Sequence, residues 1–298
     1  MAQRRTDLAV EAHQLWREGA GEEASLPGVR AAEEDREGFP VTTVTISSQE
    51  GARALGKPQG TYITIELDSL LRREEGAFQR AVTAVADTLR PLLPGEGPAL
   101  VVGLGNRAVT PDLIGPLAVD HLLVTRHLVE QVPEHFGNLR PVAAAAPGVL
   151  ASTGLESSLV ARALADRLSP ACVIAVDALA SRSLDRLCRT VQLSDAGVVP
   201  GSGVGNHRRA LDRESLGAPV FTVGVPTVVD GTTLALDLLE RAGQPLPDRA
   251  GLPAGENFFV TPREVDQRVA DLGKVLGYAV SLALNPSLSV EDLTMLLE

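Results

Sequence analysis

A chain of 298 residues with 44% hydrophobic side chains can bury a sizeable core, as one large domain or two small ones. Its aromatic content of 3% argues against a base-stacking surface, and a formal net charge of −11 argues against generic nucleic-acid binding. The first residues carry no apolar leader and no apolar run reaches membrane-spanning length, so the expected location is cytoplasmic, with no membrane partner.

In chain order, residues 1–37 are rich in Glu, Arg, Gly and Ala. Asp7–Arg17 has the spacing of a short amphipathic helix, and Glu18–Glu37 reads as mobile. Val41–Ser47 and Gly60–Leu67 read as two strands of a hairpin-like pair around a turn-rich Gly51–Gly60. Glu74–Leu93 has helical spacing. Repeated β–α alternation follows. Leu100–Leu104 is a strand. Thr110 as N-cap and Pro111 at the first helical position predict a helix running to about Val129. Val142–Ala145 is a strand, Pro147–Gly154 a loop and Ser157–Leu168 a helix. Cys172–Val176 is a buried strand, and Ser181–Leu187 reads as helix or helical turn. Thr190–Leu193 is a strand and Pro200–Asn206 a Gly-rich loop. Val220–Val225 is a strand, Asp230–Arg241 a helix and Pro245–Asn257 a connector. A capping box at Thr261–Glu264 opens a helix to about Leu284, and a last short helix starts near Ser289. The expected fold is α/β, with a mostly parallel or mixed sheet covered by helices on both faces.

Two segments carry the chemistry. Asp112 follows the apolar run Ala99–Leu104, and Asp177 follows Cys172–Val176. Ligands of open α/β sheets sit at the carboxyl ends of strands, so two distant aspartates can meet in one cleft. Paired carboxylates suffice for acid–base hydrolysis of a peptide bond. For Asp112 the bland reading is a carboxylate favoured at a helix start. For Asp177 it is a buried ion pair, with Arg182 or Arg126 as partner.

The remaining signals are weaker. Gly103–Ala108 fits the GxGxxA dinucleotide pattern, but Pro111 sets the helix start well past the glycines, against cofactor binding. The glycines instead suit a tight turn carrying Asn106 and Asp112. Gly201–Asn206, with Gly203 and Asn206, followed by Arg208, resembles an anion cradle and reads better as a loop bordering a cleft. Arg126 and His127 sit late in a predicted helix, and Glu156 at a helix start. Cys172 and Cys188 lack metal-ligand spacing, and no GxSxG elbow occurs. No cofactor or metal is expected.

Taken together, Arg5–Glu11, Val102–Asn106, Val109–Asp112, Leu122–His127, Ala146–Val149, Ile174–Ala180, Pro200–Asn206, Gly224–Asp230 and Val260–Asp266 resemble the germination protease family of spore-forming Firmicutes. The Gly-Leu-Gly-Asn segment is also similar to hydrogenase maturation endopeptidases, which implies their phosphorylase/hydrolase-like α/β sandwich. The resemblance implies an endopeptidase that initiates degradation of small acid-soluble spore proteins in the forespore or spore core. It implies an aspartate dyad at Asp112 and Asp177, a homotetramer, and a zymogen that removes its own propeptide. Cleavage after an acidic residue and before a hydrophobic residue and Ala points to the bond between Asp7 and Leu8. Residues 1–40 are then propeptide and mobile segment, and 41–298 a single α/β protease domain. Arg126, Arg182 and Arg208 are candidate cations for the acidic residue. The rival readings are a metal-dependent maturation-type endopeptidase using Asp112, Glu156, Asp177 and His127, and a nucleotide- or phosphate-binding protein.

Overall fold

Alternating β-branched and small residues at the start of the chain build one mixed sheet, and near-continuous Val/Ile/Ala runs extend it at the other end. The computed structural model describes residues 5–21, 24–201, 209–245 and 258–298. Among them the strands are β1 (Val29–Arg36), β2 (Phe39–Ile46), β3 (Gly60–Glu66), β4 (Ala99–Gly103), β5 (Val142–Ala145), β6 (Cys172–Ser181), β7 (Thr190–Ser194), β8 (Val220–Asp230) and β9 (Phe259–Val260). They are ordered β1-β2-β3-β7-β8-β6-β4-β5, with β9 on β8. The β8-β6-β4-β5 half is parallel, and the β1-β2-β3-β7-β8 half is antiparallel.

Helices cover both faces. One face packs Ile65, Val101, Ile174, Val191 and Val223 under the Ala77–Leu89, Ile114–Asp120 and Val265–Leu284 helices. The other face carries two separate apolar clusters. The Ala9–Ala20 helix packs on Val44, Ile46, Tyr62 and Leu179, while Leu100, Val102, Val173 and Ala175 form a second cluster with the Ser157–Leu168 helix. Asp177 lies in sequence between Ala175 of one cluster and Leu179 of the other. The candidate cleft sits at this seam. No helix of the described residues is long and apolar enough to cross a membrane.

Several elements differ from the sequence reading. Val29–Arg36, within the stretch expected to be mobile, is a strand paired along its length with β2. It is an exposed edge strand rich in charge, so it shows no apolar alternation, and it is fixed by pairing rather than burial. Gln49–Leu55 is a helix capped by Ser48 inside the expected turn. The single helix predicted over 110–129 is broken into a 3-10 turn at Thr110–Asp112 and helices Ile114–Asp120 and Arg126–Gln131. Thr110 is not a cap. The capping box at Thr261–Glu264 does not form; Thr261 Oγ1 donates to Thr227 O, and the helix begins at Val265. Near the C-terminus a last helix, Val290–Leu297, starts beside Ser289 as expected, and Ser289 caps it. Ser181–Leu187 is not helical at its start, because β6 continues to Ser181 along β8.

Candidate active site

The site arises where two parallel neighbours part. β4 ends at Gly103, in register with Val176, and the Leu104 N–H donates to Val176 O at 2.8 Å. β6 runs on to Ser181 with β8, so Asp177 is the first residue of β6 past the end of β4. It therefore stands inside a strand rather than at a strand end. The departure of its neighbour opens the crevice.

The chain leaving β4 brings Asp112 back to this point. Gly105 has φ +131°, and a Cβ there would lie 1.9 Å from Asp112 O, so only glycine fits. The Asn106 N–H donates to Asp112 Oδ2 at 2.8 Å, and Asn106 Oδ1 accepts from the Ala108 N–H at 3.0 Å. The amide that a dinucleotide phosphate would need is thus taken by a carboxylate. The next helix packs close because Gly115 has no side chain; a Cβ would lie 2.2 Å from Leu104 O and 2.5 Å from Val176 O. The result is a cavity of about 250 Å³ lined by Asp112, Asp177, Asp7, Ser157, Thr227 and their neighbours. Asp177 is 6% exposed, and its Oδ1 accepts from the Ala178 N–H at 3.0 Å. Thr227 is the extra residue of a bulge between β8 and β6, a common device for re-aiming a side chain at a site. Its buried Oγ1 has no hydrogen-bond partner among the described residues.

The N-terminal segment enters this cavity. The Asp7 N–H donates to Ala180 O at 2.8 Å, and the Ala180 N–H donates to Asp7 Oδ2 at 2.9 Å. Gln192 of β7 brackets Leu8, contacting the peptide group on each side of it. Its Nε2 donates to Asp7 O at 3.2 Å, and its Oε1 accepts from the Ala9 N–H at 2.8 Å. Only one orientation of the amide satisfies both contacts. Leu8 is 0% exposed, which contributes about 1.5–3 kcal/mol to docking. Lys57 Nζ donates to Thr6 O at 2.9 Å and lies 4.0 Å from Asp7 Oδ1. Burial pulls the Lys57 pKa below the usual lysine value, and Asp7 and Glu11 oppose that shift. Glu11, 1% exposed, accepts from the Arg182 N–H at 2.6 Å and the Ser183 N–H at 3.1 Å.

The other residues singled out from the sequence lie elsewhere. Arg126 starts a helix rather than ending one, and it pairs with Glu130 at 2.8 Å. His127 is exposed and outside the cavity lining. Glu156 precedes the Ser157–Leu168 helix without capping it, and it too is outside the lining. Arg182 is committed to Glu18, Asp237 and Glu240 at 2.9, 3.2 and 3.1 Å, in a second cavity. Gly203, Asn206 and Arg208 lie outside the described residues. Sequence reasoning missed Lys57 and Gln192. The alternation Thr-Val-Gln-Leu-Ser puts Gln192 on the face opposite Val191 and Leu193, and that signal could have found it. Lys57, in a turn before β3, has no local signal.

The chain matches the germination protease family over residues 9–242. The germination protease of Bacillus velezensis is 45% identical, over 97% of this chain and 95% of its own. That of Caldanaerobacter subterraneus subsp. tengcongensis is 40% identical over 98% of both chains, and that of Clostridium perfringens 39% over 98% of both. A hydrogenase maturation protease, HycI of Thermococcus kodakarensis, aligns with 65% of this chain and 98% of its own at 15% identity and a TM-score of 0.32. With a family match over most of its length and relatives this similar end to end, the chain belongs to the germination protease family of peptidases.

Proposed function

We propose that this protein initiates the degradation of small acid-soluble spore proteins, cutting after Glu or Asp and before a hydrophobic residue and Ala, with Asp112 and Asp177 as an aspartate dyad. It is made as a zymogen that cuts its own Asp7–Leu8 bond, assembles as a homotetramer and works in the spore core. The observation that carries this reading is the meeting of three aspartates: Asp112 and Asp177 line one cavity, and Asp7 lines it with them.

In the proposed reaction one carboxylate takes a proton from water while the water oxygen attacks the carbonyl carbon. The second, protonated carboxyl gives its proton to the leaving nitrogen as the C–N bond breaks. The pair returns to its starting state with one proton between its members. Because that proton belongs to the pair, the two roles are interchangeable in this description. The Gln192 Nε2 donor lies against the carbonyl oxygen where negative charge develops, which supports its stabilising that charge.

Leu8 and Ala9, which follow Asp7, satisfy the same rule as the proposed substrates. The test is incubation of the full chain with and without a small acid-soluble spore protein, followed by N-terminal mapping of every fragment. The expected new N-termini are Leu8 in the chain itself and a hydrophobic residue after Glu or Asp in the substrate. Fragments with other termini, or the same fragments from Asp112→Asn and Asp177→Asn, would reject the proposal.

A further inference from the structure

We infer that Lys57 is the specificity residue that reads the acidic side chain before the cut; this rests on the self-processing reading above. The argument starts from the two oxygens of the Asp7 carboxylate. Oδ2 accepts the Ala180 N–H at 2.9 Å, standing in for the carbonyl of a paired strand. An asparagine amide oxygen can also accept that N–H, more weakly but in the same geometry, so Ala180 alone separates a charged residue from its neutral isostere poorly. Oδ1 faces Lys57 Nζ at 4.0 Å. A cation there makes the charge itself count.

The turn around Lys57 places it for this task. It follows Gly56, which ends the Gln49–Leu55 helix in a left-handed cap, and it precedes Pro58, so the turn holds its backbone. Its ammonium is fixed by Thr6 O at 2.9 Å, the carbonyl one residue before Asp7. Only 15% of the side chain is exposed, and Asp7 is 13% exposed, so solvent screens the pair weakly. A buried ammonium is costly without anions near it; Glu11 supplies one, but its oxygens are taken by the Thr6 hydroxyl and the Arg182 and Ser183 N–H groups, so the loop still favours an occupant that brings a carboxylate. Of the arginines favoured by sequence, the two among the described residues are committed elsewhere, and Arg208 lies outside them. Arg182 is already shared among three carboxylates, and Arg126 is paired on its own helix.

The test is a double-mutant cycle in the full chain: wild type, Asp7→Asn, Lys57→Met and the double variant. Two readouts are taken, the rate at which the Leu8 N-terminus appears and the melting temperature. Asp7→Asn is expected to slow the cut by about 30-fold when Lys57 is present and by less than about threefold in Lys57→Met. Lys57→Arg, which keeps the cation, is expected to retain most of the sensitivity to Asp7→Asn. An equal penalty for Asp7→Asn in both backgrounds would overturn the assignment. If no variant cuts itself, the self-processing reading fails, and melting temperatures alone decide on Lys57. Non-additive shifts then support its contact with the carboxylate, and additive shifts overturn it. A Lys57→Met protein that does not fold is replaced in the cycle by Lys57→Gln.

Discussion

Gln192 of β7 and Asp177 of β6 both stand in register with Gly224 of β8, so they share one row and one face of the sheet. The glycine between them is covered by the Leu179 side chain. An amide that holds the Asp7 carbonyl and an aspartate proposed to act with water on the Asp7–Leu8 bond are thus fixed by the same three strands. Their spacing is set by strand pairing, the most rigid part of the fold, rather than by loops.

Gln192→Leu is expected to slow appearance of the Leu8 N-terminus by about 10²-fold, the usual loss when one donor to a developing oxyanion is removed. Gln192→Glu keeps an acceptor for the Ala9 N–H but turns the donor into a buried anion facing the Asp7 carbonyl oxygen, so it should slow the cut at least as much and destabilise the chain as well. Timed N-terminal sequencing with melting curves separates the two effects.

Asp112→Asn and Asp177→Asn are each expected to lower peptide hydrolysis by about 10²–10⁴-fold, the range of a lost general acid or base. Circular dichroism should show both variants folded. Normal turnover by either would remove the dyad.

Gly105→Ala tests whether the turn positions Asp112. The added methyl meets Asp112 O, and the φ of +131° disfavours any side chain. The expected cost is about 1–3 kcal/mol of stability. Displacing Asp112 by an ångström should cost about 10²-fold in rate. Urea unfolding and peptide cleavage give the two numbers.

Arg182→Met should destabilise the chain by about 3 kcal/mol, measured by urea unfolding, because buried Asp237 and its neighbours lose a partner. Arg241 remains on Asp237 at 3.0 Å, which limits the loss. Dyad chemistry should be unaffected.

His13 sits on the Ala9–Ala20 helix, and burial, then Arg17, lower its pKa below 6.5. The unfolded chain therefore takes the proton more readily. Stability from this group is full above about pH 6.5 and declines as pH falls through 6.5 toward the lower folded value. His13→Gln should flatten that part of a melting-temperature profile against pH.

Much of the fold was legible in the sequence. The apolar runs at Ala99–Leu104 and Cys172–Val176 do form adjacent parallel strands, and helices do start at Asp230 and Ser289. What stayed hidden depends on partners distant along the chain. The extension of β6 past Val176 follows from pairing with β8, which Ala178–Ser181 do not announce. The helix expected from Thr110 is interrupted after Asp112, whose carboxylate turns to the Asn106 amide, and again after Asp120. The three arginines weighed as cations are surface, buried-network or undescribed residues. Lys57 was passed over because nothing near it in sequence reveals Thr6 or Asp7.

The complete enclosure of Leu8 bears on the direction of any reaction before it. Scission there would leave a freshly ionised amino terminus amid Val44, Tyr62 and Leu179, where an isolated charge is poorly tolerated. The product would relieve this by drawing its first turn outward. Religation would then require the two ends to find each other again, so the event would act as a one-way ratchet.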